Sequence, residues 1–272
     1  MLLENTYRDP EIHNNWRRVY HANKAQSRFD DSVYDWLFVT LQPRGRWLDA
    51  GCGPGEHSVR IARSTGADVL AIDISPVALK LASETVQPQT VDRKINLERY
   101  ALEELPPSLR VDNVHSRGVL MHIPKWRSAL DSLCCCIRNG GYLVLFENNH
   151  LSIEMLLVRA IRCFQHRRSK MIHADGGVEF WSEENGKPFV VRAASIDVLV
   201  TAMKSQGIEL VLRRSASLFD INRVPSSMRS AVVALNRIWF RWNLPFGSGV
   251  ILVGRRSTSA PNIGRSQERD AI

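Results

Sequence analysis

Residues 46–62, RWLDAGCGPGEHSVRIA, run from a short apolar stretch through an acid and three glycines into a helix-like tail. A strand, a tight glycine turn and a helix start bring backbone N–H groups and a helix N-terminus together beside a ligand. Glycine is needed there because a Cβ would collide with anything lying this close to the main chain. On the glycines alone NAD, ATP, S-adenosylmethionine or no ligand at all remain open.

The spacing narrows the choice. A dinucleotide loop has the form G-x-G-x-x-G, with the pyrophosphate on the helix dipole. Here Gly51, Gly53 and Gly55 make G-x-G-x-G, with Cys52 between the first two and Asp49 two positions ahead. A carboxylate there would repel a pyrophosphate and suit a ligand bearing an ammonium or sulfonium. No G-K-[ST] follows, which removes a P-loop. Asp73 closes the next apolar run, VLAIDIS, where an acid can accept hydrogen bonds from both hydroxyls of a ribose. Helix capping is the competing reading for Asp73.

Outward from this loop, short apolar runs alternate with helical periods as far as YLVLFENN, which predicts βαβ units and a parallel sheet. Residues 11–41 read as one or two aromatic-rich helices. After residue 150 the rhythm changes. Residues 151–170 predict an amphipathic helix, and HADGGVEFWSEENGKPFVV an irregular aromatic segment. Residues 226–243 predict a further helix. The expected division is a single domain over 1–256: an N-terminal helical cap (1–41), a donor-binding core (42–150) and substrate-side insertions (151–190 and 220–247). A tail from 257 to 272 has the composition of a disordered terminus.

LDAGCGPGEHS and VLAIDISPVALKLA resemble motifs I and II of class I S-adenosylmethionine-dependent methyltransferases. The resemblance continues through LEELPP, VDNVHSRGVLMHIP and IRNGGYLVLFE, from Trp47 to Glu147. It implies a Rossmann-like, doubly wound, mostly parallel seven-stranded sheet with an antiparallel last strand, which suits IELVLRRSASLF and SGVILVGRR as a terminal hairpin. It also implies S-adenosyl-L-methionine as cofactor. Gly51, Gly53 and Gly55 would lie along the methionine part, Asp49 near its ammonium and Asp73 on the ribose, with Cys52 also in the cofactor-binding set. Ile74, Leu102 and Arg117 complete the expected cofactor-binding set, with Ile74 and Met121 flanking the adenine. The family often carries an acid after the third strand for the adenine amino group. Ala101 stands at that position, which leaves adenine to main chain near Leu102 or to Glu103.

A hydroxyl nucleophile is helped by a nearby base. His122, after the fourth strand, is the first candidate, against a packing role; Glu147 and His150 at the end of the fifth strand are its rivals. Nucleic-acid amino methyltransferases of this superfamily carry [DNS]-P-P-[YFW] after strand four, and this chain has SRGV, which counts against nucleic acid as the partner. Lys and Arg match Asp and Glu at 18 against 18 up to residue 150 and exceed them by 18 to 10 beyond it. Arg159, Arg162, His166 and Lys170 fall on one helical face, and Arg229, Arg237 and Arg241 cluster beside Trp239 and Trp242. Phe180 and Trp181 offer a stacking wall or a core pair. The expected acceptor is therefore a small molecule, sugar-like or anionic or carrier-linked, methylated at oxygen. RNA, protein or a donor-binding protein without activity are the alternatives.

Five cysteines, three of them adjacent and none in a C-x-x-C pair, argue against a disulfide framework and a zinc site, so no metal is expected. No apolar run approaches the ~20 residues needed to cross a bilayer, and the N-terminus offers no signal-peptide core. A cytoplasmic monomer or homodimer is expected, with peripheral membrane contact left open.

Overall fold

The computed structural model describes residue 6 and residues 9–21, 23–91, 94–165, 170–184 and 186–258. Helix α1 (Pro10–Trp16) starts at an Asp9 cap whose carboxylate accepts from Glu11 N–H, and it runs on into a π-turn at Arg17–His21. Helix α2 (Lys24–Leu41) is capped by Asn23, whose side chain accepts from the N–H groups of Ala25 and Gln26. Its buried face follows the helical period through Gln26, Phe29, Asp30, Val33, Tyr34, Leu37 and Phe38. Three of these seven are polar and stand one turn apart.

The core then alternates: β1 (Trp47–Ala50), α3 (Glu56–Thr65), β2 (Val69–Asp73), α4 (Pro76–Val86), β3 (Ile95–Arg99), β4 (Val111–Arg117), α5 (Trp126–Cys136) and β5 (Ile137–Asn148). Later come α6 (Ile153–Gln165), β6 (Lys170–Ala174), β7 (Gly177–Glu184), β8 (Lys187–Ala194), α7 (Ile196–Ser205), β9 (Ile208–Ser217), α8 (Arg229–Trp242) and β10 (Gly249–Arg256). The main sheet has the order β3-β2-β1-β4-β5-β10-β9, and β10 is antiparallel to both of its neighbours. The expected doubly wound sheet is therefore present. β9 and β10 pair antiparallel as expected, but α8 joins them and β10 sits inside, between β5 and β9.

β1 is buried throughout and β2 up to its last residue, as parallel strands covered on both faces must be. Leu48, Leu70 and Ile72 pack on one side with Leu130, Leu133 and Met203. Trp47, Val69 and Ala71 pack on the other with Tyr34, Ile61 and Phe240. Strand order reverses between β1 and β4, which opens a crevice at their carboxyl ends.

The segment expected to be irregular is a separate antiparallel sheet, β6-β7-β8. Ala174 pairs with Gly177, so the two-residue turn D-G closes the first hairpin, and in the second Glu184 pairs with Lys187. Lys170 opens β6 rather than extending the helix. The side chains of Arg162, His166 and Lys170 lie outside the described residues, as does the tail beyond Thr258. Arg229 and Arg237 donate to the carbonyls of Ile221 and Ala25 instead of forming a free basic cluster. Cys134 and Cys136 are buried in α5, and burial pushes both thiols up to about 12. Among the described residues no helix is long and apolar enough to cross a membrane.

Candidate active site

The glycine loop is tied to the strand beside it. The N–H groups of Gly51 and Cys52 both donate to Ile72 O at 2.8 Å. Gly53 N–H donates to Asp73 Oδ2 at 3.0 Å, and Ser75 N–H to Asp73 Oδ1 at 2.9 Å. All three glycines have positive φ, but they do different jobs. A Cβ on Gly55 would stand 3.1 Å from Ala82 Cα, so that glycine lets α3 pack on α4. A Cβ on Gly51 would strike Val119. A Cβ on Gly53 would meet nothing within 4 Å. Only Gly53 presents bare backbone to open space.

That space is a cleft of about 910 Å³. Gly53, Asp73, Ile74, Leu102, Trp16 and Trp181 line it. Gly51, Cys52 and Arg117 also face it. Burial raises the Asp73 carboxyl, and the N–H groups of Ser75 and Gly53 work against that rise. Burial likewise pushes up the Cys52 thiol, with Asp73 and Asp49 adding to the effect.

Asp49 is placed differently from the expectation. It is 1% exposed and does not line the cleft. Its oxygens accept from Ser58 Oγ–H and, at 2.8 Å, from His115 Nδ1–H. Since a carboxylate cannot donate, the His115 proton sits on Nδ1 and Nε2 accepts from the Tyr34 hydroxyl at 2.7 Å. Tyr34 lies close enough to Arg117 to favour its charged form. Arg117 Nη2 donates to Asp30 Oδ1 at 2.8 Å, and Gln26 Nε2 donates to the same oxygen at 3.0 Å. The buried chain Asp49–His115–Tyr34 thus links β1, the strand before the glycine loop, to the inner face of α2, where Asp30 holds Arg117.

A second, smaller cavity of about 140 Å³ adjoins the cleft and shares Tyr20, Asp30, Arg117 and Gly118 with it. Glu147, 3% exposed, lines it, and burial pushes its carboxyl up to about 8. Met121 lines this cavity and not the cleft, so it does not face Ile74 there. His122 lines the cleft, with Nδ1–H donating to Val190 O at 2.8 Å and its ring stacked on Trp16 at 5.5 Å. Burial lowers it to about 4, so the imidazole is neutral at ordinary pH. His150 lines neither space; its Nδ1–H and its N–H both donate to Ala194 O. Glu147 and His122 therefore border two connected spaces, while His150 anchors a loop. Gln26, Asp30 and Tyr20 were not singled out from the sequence.

Residues 21–209 match a protein family described as a methyltransferase domain. The tRNA U34 carboxymethyltransferase of Pseudomonas aeruginosa (strain LESB58) is 30% identical over 224 residues, covering 74% of this chain and 66% of that protein. The enzyme of the same name from Geobacter sp. (strain M21) is 38% identical over 120 residues, 41% of this chain and 36% of that protein. The chain thus spans between about a third and two thirds of the length of these curated relatives. In fold, magnesium protoporphyrin IX methyltransferase from Synechocystis PCC 6803, solved with bound SAH, superposes with a TM-score of 0.63 at 16% identity, covering 94% of this chain and 98% of that one. Relatives named as tRNA modifiers run against the expectation that nucleic acid is not the partner.

Proposed function

The chain belongs to the methyltransferase-domain family, and from that premise we propose that it binds S-adenosylmethionine over Gly53 and Asp73 and methylates a small acceptor held in the adjoining cavity. The observation that carries this reading is the bare side of Gly53, a cradle that a Cβ would fill, opening onto Asp73 within hydrogen-bond reach of the same ligand. Bound there, the cofactor supplies a methyl group on a positively charged sulfur. Asp73 keeps lone pairs for the ribose hydroxyls, and Ile74 and Leu102 supply apolar walls for the adenine. Asp49 acts indirectly, holding β4 and α2 against the loop through His115. Trp16, Trp181 and His122, which line the cleft, exclude water from it, which strengthens every polar contact inside. Glu147, which lines the smaller cavity, is the group whose Oε1 hydrogen-bonds the acceptor, and it can take the acceptor's proton once it ionises near pH 8. Free thiols at Cys52, Cys134, Cys135 and Cys136 accord with a cytoplasmic location.

Calorimetry with S-adenosylmethionine and S-adenosylhomocysteine tests the donor reading: both should bind with one site per chain, and absence of binding overturns it. The second reading is an RNA acceptor, favoured by the names of the relatives and by the basic excess beyond residue 150. RNA binding that weakens steeply with salt would support it.

A further inference from the structure

The smaller cavity holds an unusual set of polar groups. Gln26 and Glu147, each more than nine-tenths buried, line it together with Arg117. Each of the three has one side-chain atom that is buried and has no partner: Gln26 Oε1, Glu147 Oε1 and Arg117 Nη1. Buried polar groups in folded proteins are nearly always satisfied, so three orphans around one cavity point to a ligand that completes them.

Their chemistry restricts that ligand. Arg117 Nη1 can only donate. Gln26 is fixed with Nε2 on Asp30, so its Oε1 can only accept. Glu147 Oε1 can accept, or donate when protonated. A simple oxyanion has no proton for Gln26 and would face the Glu147 and Asp30 carboxyls. An apolar ring would leave all three groups unsatisfied. In size, about 140 Å³ matches one ring, since a cavity of about 150 Å³ holds benzene.

We propose that this cavity is the acceptor subsite and takes an uncharged head group of one-ring size, with a hydroxyl or ring N–H directed at Gln26 and Glu147 and a neighbouring oxygen directed at Arg117. The inference rests on the donor reading above, because the acceptor lies next to the cleft only if the cleft holds the donor. It also revises the sequence-based preference for an anionic acceptor. The positive excess beyond residue 150 does not reach this cavity, where Arg117 is paired with Asp30 and the other charged groups, Glu147 and Asp220, are acids.

The test uses the full chain saturated with S-adenosylhomocysteine and titrated with catechol, benzoate and toluene. Catechol, which carries adjacent donors and acceptors, should bind at least about tenfold more tightly than the other two. Gln26→Leu should weaken catechol about tenfold or more and leave S-adenosylhomocysteine affinity in place, whereas Arg117→Met, at a residue that also faces the cleft, should weaken catechol by as much whatever its effect on S-adenosylhomocysteine. Should either variant fail to fold, Ala216→Leu, which narrows the cavity from β9, decides the matter by abolishing catechol binding alone. A uridine-containing stem–loop RNA that displaces catechol assigns the ring to a base; failure to displace assigns it to a free molecule. Equal binding of benzoate or toluene, no catechol binding, or catechol binding untouched by the variants overturns the proposal. Loss of S-adenosylhomocysteine binding by the unaltered protein would instead overturn the donor reading.

Discussion

One side of the larger cleft comes from residues 51–74, two strand ends and the segment between them, whereas the smaller cavity is gathered from α2, β4, β5, β9 and β10. In the first the loop backbone is satisfied locally: Gly51, Cys52 and Gly53 all donate to acceptors on β2. The second keeps three buried groups unpaired. Local sequence can specify a cradle for a constant ligand, while a site for a variable ligand is assembled from distant parts and left incomplete.

The largest effect expected from breaking this contrast is at Glu147. Its folded carboxyl titrates near 8, well above the ordinary glutamate range. Stability from the neutral buried form is fully present below the ordinary pKa and is lost as pH rises through about 8. The unfolding free energy of the unaltered protein, measured with urea, should fall between pH 5 and 8.5 by on the order of 3 kcal/mol, and Glu147→Gln should flatten that slope. An unchanged slope would mean that the carboxyl is ionised in the folded state. Next comes Asp73→Ala, which should weaken S-adenosylhomocysteine about a hundredfold by calorimetry, since the lost partner is charged. Full affinity in that variant would be incompatible with a ribose contact.

The glycines sharpen the comparison further. Gly53→Ala should reduce donor binding about tenfold, with about 1 kcal/mol of backbone strain. Gly55→Ala should leave affinity nearer normal and lower Tm more, because its methyl also presses on Ala82, at a cost of about 2 kcal/mol. Reversal of this order in paired melting and titration experiments would reassign the two glycines. Smallest of all, His150→Ala should change donor affinity by less than about twofold.

What could be read from the sequence divides along the same line. Gly53, Asp73 and Ile74 could be expected to line one cleft because they lie within one strand–loop–strand stretch whose spacing is chemically restrictive. Asp49 was misplaced because its partner, His115, is sixty-six residues away and only the sheet register brings them together. Gln26, Asp30 and Tyr34 left a trace: polar residues at i, i+4 and i+8 on a face whose other members are Phe29, Val33, Leu37 and Phe38. A polar stripe inside an apolar one marks a lined cavity or a buried network, and here it marks both. The D-G and N-G pairs at 175–176 and 185–186 were equally available as hairpin signals and were masked by the irregular aromatic composition around them.

The position of β10 has a consequence for how the molecule comes into being. The free edge of β5 is complete at Asn148, but the strand that covers it begins only at Gly249. At ordinary rates of synthesis, roughly 5–20 s separate the two on the ribosome. Through that interval an apolar strand, with Val144, Leu145 and Phe146 in series, waits uncovered on the growing chain and is a template for unwanted pairing. Chains stalled before residue 249 are therefore the form of this protein that should require a chaperone.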